Sequence, residues 1–154
     1  MLWEENFDRL DAGTWVLEHS TYGDGNGELQ CYRPENVTVT DGRLVLRALR
    51  ERHTCPNGST RSVTSGMIRS RGVTFAPGQA LEFRVKLTPG DEQDQGGLWP
   101  AVWSSGFGGG GWPASGELDF LEVMTAVNPR RSVYSMHYAN PDGSHGMTNR
   151  PVVG

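Results

Sequence analysis

The sequence predicts an all-β fold, a sandwich or a jelly roll, and three observations carry that expectation. Glycine makes up 21 of 154 residues, about twice its usual share, which favours a turn-rich chain over a helical bundle. Apolar and polar residues alternate in many short runs at fairly even spacing, the mark of half-buried strands. No segment holds a helical period for longer than a turn or two.

The elements follow in chain order. Asn36-Val37-Thr38-Val39-Thr40 runs through Asp41-Gly42 into Arg43-Leu44-Val45-Leu46-Arg47. An Asp-Gly pair between alternating apolar runs predicts a hairpin, because the tight turn needs positive φ. A strand is expected over Val63 to Arg69. Leu81, Phe83, Val85 and Leu87 then alternate with Glu82, Arg84 and Lys86, a strand with one wet face, closed by Pro89-Gly90. Further strands are expected at Leu98 to Ser104, Glu117 to Met124 and Arg131 to Tyr138. Gly106-Phe107-Gly108-Gly109-Gly110-Gly111 reads as a flexible loop, not a phosphate cradle, since no Lys follows and no helix pattern begins. From Ala139 to Gly146 the composition is that of a loop, and the chain then runs to Pro151-Val152-Val153-Gly154 with no further strand expected. No repeat or linker divides the chain, so residues 1–154 are read as the N-terminal part of one domain. A two-sheet sandwich often takes about 200 residues or more, so the expected sandwich is incomplete at its C-terminus.

Composition bounds the function. With 36% hydrophobic and 21% charged residues, the chain suits a soluble folded domain and carries no run of apolar residues long enough to span a membrane. A net charge of -4 argues against nucleic acid as the main partner, because phosphate binding wants a basic surface. Met1 is followed at once by Leu2-Trp3-Glu4-Glu5, so no signal peptide is visible: the chain is cytoplasmic or its leader has been removed. Nothing in the sequence points to an oligomeric state.

The chemistry is concentrated in Gly116-Glu117-Leu118-Asp119-Phe120-Leu121-Glu122-Val123-Met124. In a regular strand Glu117 and Asp119 share a face and Glu122 points away. One extra residue at Phe120-Leu121, a β-bulge, returns Glu122 to the face of the other two acids. It also leaves Leu118, one or both of Phe120 and Leu121, and Val123 on the opposite face. A helix fits worse, since Glu117 and Glu122 would lie about 140° apart round its axis. Like charges at short range keep a proton on one group. A retaining glycosidase needs that arrangement: one carboxylate as nucleophile and one carboxylic acid as proton donor, roughly 5–5.5 Å apart. Asp119, between them, can share a proton with the nucleophile. Three solvated acids on a wet face, or a Ca²⁺ site built from clustered oxygens, would use the same residues.

Aromatic residues lie close in sequence to these acids. Trp99-Pro100-Ala101-Val102-Trp103 and Trp112-Pro113 precede them, and a Trp offers a sugar ring a flat apolar platform with one N–H donor. Trp99 and Trp103, four apart, share a face of a regular strand. Tyr32, Tyr134 and Tyr138 are candidates for further ring and hydroxyl contacts. Trp3 and Trp15 are read as packing residues. His19, His53 and His145 have no support as site residues, and no two histidines sit at metal-ligand spacing.

Three blocks together resemble glycoside hydrolase family 16, especially its laminarinase-like endo-1,3-β-glucanases. They are Gly25-Asn26-Gly27-Glu28-Leu29-Gln30-Cys31-Tyr32 with Asn36-Val37 and Asp41-Gly42-Arg43-Leu44; Ser65-Gly66-Met67-Ile68-Arg69-Ser70 with Glu82-Phe83-Arg84-Val85-Lys86; and Trp99-Pro100-Ala101 through Trp112-Pro113-Ala114-Ser115-Gly116 to Glu122. The resemblance implies a β-jelly roll with a sugar cleft on its concave face, and retaining hydrolysis of β-1,3-glucan or mixed-linkage β-glucan. It implies Glu117 as nucleophile, Glu122 as acid/base and Asp119 as assisting acid. Asn26, Arg69, Trp99, Trp103 and His137 match positions that line the cleft, with Trp112 beside them. Agarases and carrageenases share the bulged acid motif, so galactans remain an alternative, as does a non-catalytic sugar-binding sandwich.

No cofactor is required by such a reaction. The family often places an acidic residue just before its first Phe to bind a structural Ca²⁺, whereas Asn6 precedes Phe7 here, with Glu5 one place earlier; the carbonyl of Gly42 remains as a ligand. Activity is expected of the complete domain, and apolar faces and strand edges of the isolated chain are expected to be exposed. Cys31 and Cys55 flank the first hairpin and are either bridged or two separate thiols. Because polysaccharide hydrolases act outside the cell, the bridge and an extracellular location are the expectation.

Overall fold

The structure, a computed structural model, describes residues 3–87, 96–106, 110–128 and 131–153. Among the described residues the regular secondary structure is almost all strand, with two single-turn 3-10 helices at Asp24–Asn26 and Pro34–Asn36. The backbone divides into two compact units, Met1–Glu82 and Phe83–Gly154.

The first unit is a set of short paired strands. β1 (Trp15–Leu17) pairs antiparallel with β8 (Ile68–Ser70), and β2 (Gln30–Tyr32) pairs parallel with β7 (Val63–Ser65). β3 (Val37–Val39) and β4 (Leu44–Leu46) form the expected hairpin, and β5 (His53–Thr54) pairs with β6 (Thr60–Arg61). The β3–β4 turn has φ of 51° at Asp41 and 66° at Gly42, the left-handed pair for which an Asp-Gly turn is suited.

The predicted strand from Val63 to Arg69 is two strands with different partners. The break falls at Gly66, where an added Cβ would lie 2.6 Å from the Asn36 carbonyl oxygen, so only glycine lets the backbones approach. The buried centre of this unit is small and partly polar. Cys31 and Thr64 are fully buried, with Asn36, Val37 and Cys55 nearly so. Asn36 Nδ2 donates to Thr64 Oγ1 at 2.9 Å and to the Arg47 carbonyl at 3.1 Å, which satisfies an amide that would otherwise be costly to bury. Cys31 and Cys55 are joined in a disulfide with Cα atoms 6.0 Å apart. Trp15 packs against Trp3 and Phe7 at ring distances of 6.1 and 5.6 Å. Trp3 is exposed, so it caps this cluster at the surface.

The second unit carries a four-stranded antiparallel sheet in the order β12-β11-β10-β9. Its strands are β9 (Ala101–Ser105), β10 (Glu117–Glu122), β11 (Arg131–Ala139) and β12 (His145–Val153). Two expectations are corrected here. The chain after Tyr138 is a strand, not a tail: only the turn around Asn140–Ser144 is loop, and β12 pairs with β11 residue by residue from Ala139↔His145 to Arg131↔Val153. By contrast, Leu81 to Leu87 forms no strand, and Leu81, Phe83 and Val85 are exposed. A strand is a paired element, and among the described residues nothing forms a ladder with this stretch. Pro89-Gly90 and residues 107–109 of the glycine loop lie outside the described residues.

Candidate active site

Strand β10 lies between β9 and β11, and its register carries the site. Glu117 stands opposite Ser105 and His137, and Asp119 opposite Trp103 and Ser135. Past Asp119 the ladder slips. On the β11 side the next pair is Glu122↔Val133, and on the β9 side it is Leu121↔Val102. Three steps along β10 are thus matched by two along β11, the extra residue of a β-bulge at Phe120-Leu121. The irregular ladder continues beyond the strand, with the Val123 N–H donating to the Pro100 carbonyl and the Thr125 N–H to that of Leu98.

The bulge turns Glu122 to the side of Glu117 and Asp119. Ser135 and His137 project from that side of β11, two residues apart, and they contact all three acids. Ser135 Oγ donates to Glu122 Oε2 at 3.2 Å. His137 Nε2 lies 3.1 Å from Asp119 Oδ2 and 3.9 Å from Glu117 Oε1. Two indoles reach the same acids: Trp99 Nε1 donates to Glu122 Oε1 at 3.0 Å and Trp112 Nε1 to Glu117 Oε1 at 3.4 Å. Trp103, opposite Asp119, completes the row on β9. Both rings that donate to the glutamates keep much of their surface open, Trp99 at 43% and Trp112 at 54%.

The electrostatics follow from this crowding. Asp119 is 5% exposed, and burial pushes its pKa up from 3.8 to about 6, reinforced by the carboxylates of Glu122 and then Glu117 and opposed by His137. Ligand atoms of Glu117, Asp119 and His137 lie within 4.8 Å of one another, so these three are the described residues that could bridge a divalent ion.

The structure thus brings together Glu117, Asp119, Glu122, Trp99, Trp103, Trp112 and His137 in one unit. Asn26 and Arg69 belong to the first unit, where each is engaged by an acid: Asn26 Nδ2 donates to Glu28 Oε1 at 3.0 Å, and Arg69 pairs with Glu18 at 2.8 Å. Glu5 is likewise engaged, accepting from the Phe7 N–H and from Trp15 Nε1.

Tyr134 and Tyr138 do not join the acids. They alternate with Ser135 and His137 along β11 and so point to the opposite face. There Tyr134 lines an apolar groove with Leu118, Phe120 and Met136. Tyr32 lies in the first unit, its hydroxyl pushed up to about 12 by burial and by Glu28. Val123 is buried as expected, but Leu118 on the apolar face is 38% exposed.

Two neighbours escaped the sequence reading. Ser135 precedes His137 by two residues, so strand alternation alone could have found it. His145 lies in letters that read as loop. The turn around Asn140–Ser144 folds it back so that its Nε2 sits 2.8 Å from His137 Nδ1. The two rings stack at 5.0 Å and 14°, and Trp112 packs on His145 at 4.6 Å.

No protein-family profile matches the chain. It is 33% identical over 141 residues to glucan endo-1,3-beta-glucosidase A1 of Niallia circulans, covering 80% of this chain and 20% of that protein. It is 34% identical over 149 residues to the glucan endo-1,3-beta-glucosidase of Cryptopygus antarcticus, covering 91% of this chain and 52% of that protein. Among solved structures, the endo-beta-1,3-glucanase of Pyrococcus furiosus superposes with a TM-score of 0.75 at 28% identity, over 99% of this chain and 60% of that one. The chain therefore spans from a fifth to about half the length of these curated relatives. The superposition carries the β-jelly-roll architecture that the family resemblance implies.

Proposed function

We propose that the chain belongs to glycoside hydrolase family 16, in its laminarinase-like branch, and that it is a retaining endo-hydrolase of β-1,3-glucan or mixed-linkage β-glucan. The observation that supports this most is the bulge in β10, which sets Glu117 and Glu122 on one side of the sheet with Asp119 between them. A sugar-binding sandwich has no need of two glutamates at that spacing.

In this reading Glu117 attacks the anomeric carbon while Glu122 gives its proton to the departing glycosidic oxygen. The C–O bond to the leaving sugar breaks and an ester to Glu117 forms. Glu122, now a carboxylate, takes a proton from water; that oxygen attacks the anomeric carbon and frees Glu117. The pair therefore restores itself, and no cofactor enters the balance.

The surrounding groups fit these roles. Trp99 and Ser135 each donate to a different oxygen of Glu122, fixing the plane of its carboxyl group. Asp119 retains a proton into the weakly acidic range and can share it with Glu117 as charge returns to that carboxylate on cleavage of the ester. Open faces of Trp99 and Trp112, with Trp103, supply sugar platforms; Asn26, Arg69 and His137 are assigned to substrate binding by the family pattern. The Cys31–Cys55 bridge favours an oxidising compartment outside the cytosol.

The test is release of new reducing ends from laminarin by the complete domain. Glu117→Gln and Glu122→Gln should each lower kcat by about 10²–10⁴-fold, and the first-formed product should keep the β-configuration. Wild-type turnover in either variant, or an α-product, overturns the assignment. Binding of laminarin without cleavage favours the sugar-binding alternative, and cleavage of agar or carrageenan instead moves the substrate to galactans.

A further inference from the structure

The proposed reaction uses His137 but leaves His145 without a role, although it makes the closest contact of the imidazole. His137 has its two ring nitrogens in different surroundings. Nε2 lies 3.1 Å from Asp119 Oδ2 and 3.9 Å from Glu117 Oε1; with Asp119 ionised both are acceptors, so Nε2 then carries a hydrogen. In the neutral ring Nδ1 then holds a lone pair, and what stands 2.8 Å from it is His145 Nε2. A hydrogen bond at that distance needs one proton between the two rings, so His145 must donate from Nε2 while His137 is neutral. If His137 becomes cationic the bond reverses, with His137 Nδ1 donating and His145 Nε2 accepting.

His145 is itself held, stacked on His137 at 14° and packed against Trp112, whose Nε1 donates to Glu117. It is exposed, so it is not a packing residue of the sheet interior. It reaches this place because β12 folds back on β11 in strict register, with Ala139 opposite His145 and His137 opposite Met147.

We propose that His145 is a positioning residue: its imidazole tethers Nδ1 of His137, so that Nε2 is presented to Asp119 and Glu117 in one tautomer and one ring orientation. A ring held only by its contact with the acids can rotate away from them, whereas one also hydrogen-bonded at Nδ1 cannot. Support from a partner on the far nitrogen is a general way for proteins to fix an imidazole. This inference rests on the glycosidase reading for its kinetic consequence but not for its geometry.

The experiment uses the whole chain, the same chain labelled with ¹⁵N-histidine, and three variants. His145→Phe keeps a stacking ring and removes the donor, His145→Gln returns an N–H donor, and His145→Ala stands in if the Phe variant does not fold. In the wild type the His137 Nδ1 signal should be that of an unprotonated, hydrogen-bonded nitrogen. It should move to the position of a free one in His145→Phe and return in His145→Gln. On laminarin, kcat should fall roughly five- to tenfold in His145→Phe with KM within twofold, and recover in His145→Gln, the loss expected for one hydrogen bond. An unmoved Nδ1 signal in His145→Phe, or wild-type kcat in that variant, overturns the proposal. A complete wild-type domain that folds but leaves laminarin intact overturns the glucanase reading instead, and the nitrogen signals then decide the pairing alone.

Discussion

Replacing Asp119 by Asn tests the electrostatics of the acid row directly. Asp119 is 5% exposed, and in the folded protein its pKa stands at about 6 against 3.8 for an unperturbed group. Burial is the first cause and repulsion from Glu122 and Glu117 the next. A raised pKa means that the folded chain keeps a proton which the unfolded chain releases. Between about pH 4 and pH 6 the native state therefore binds more protons, and stability falls as pH rises through that window. A tenfold change in acid strength corresponds to about 1.4 kcal/mol, so a carboxyl raised this far makes ionised Asp119 cost about 3 kcal/mol once the pH exceeds 6. Asn cannot ionise and escapes this cost. The difference in unfolding free energy, variant minus wild type, should climb by roughly 2–2.5 kcal/mol from pH 4 to pH 7 and then level off. Titrations of groups remote from Asp119 cancel in the difference. The assay is urea unfolding followed by tryptophan fluorescence at pH 4, 5, 6 and 7. A difference that stays flat, or that falls as pH rises, would show that Asp119 is not held protonated by its surroundings.

The other predictions concern the frame. Replacing Cys31 and Cys55 together by Ser opens a loop of sequence separation 24 and should lower stability by roughly 3 kcal/mol on the chain-entropy account, measured by urea unfolding of the variant against the oxidised wild type; an unchanged midpoint would count against the bridge. Gly106→Ala would place a Cβ 1.7 Å from the Ser115 carbonyl oxygen, just where the Gly106 N–H donates to Gly116 at 2.8 Å. It should destabilise the protein by about 1–3 kcal/mol and loosen the approach to β10, read as a lower Tm. Gly25→Ala, with open space around the glycine, serves as the control and should shift Tm little.

What the residues alone disclosed was governed by local rules. The Asp41-Gly42 hairpin follows from the backbone demands of two positions. The β10 bulge follows from the conflict between alternating side chains and the spacing of Glu117, Asp119 and Glu122. What stayed hidden depended on partners. Leu81 to Leu87 alternates as a strand should, but alternation describes a face and does not supply a neighbouring ladder. β12 was missed for the opposite reason. It lies at the end of the sheet order, where Pro151 is tolerated and where Thr148, Asn149 and Arg150 need no apolar alternation. His145 was hidden with it, since its place beside His137 depends on the length of the turn and not on any spacing read along the chain. Likewise the split of the stretch from Val63 to Ser70 depends on the close approach of the Asn36 carbonyl to Gly66, a contact between residues 30 positions apart in the sequence.

The slipped ladder of β10 also makes its length a matter of parity. A strand that omitted Leu121 and ran straight would present the remaining acids at every second position, again on one side. Omitting both Phe120 and Leu121 would place the last acid on the wrong side, among the apolar groups. An odd deletion with loss of the kink is thus compatible with the same chemistry, and an even one is not. The segment is therefore a counting device in which one surplus amino acid and one backbone distortion cancel.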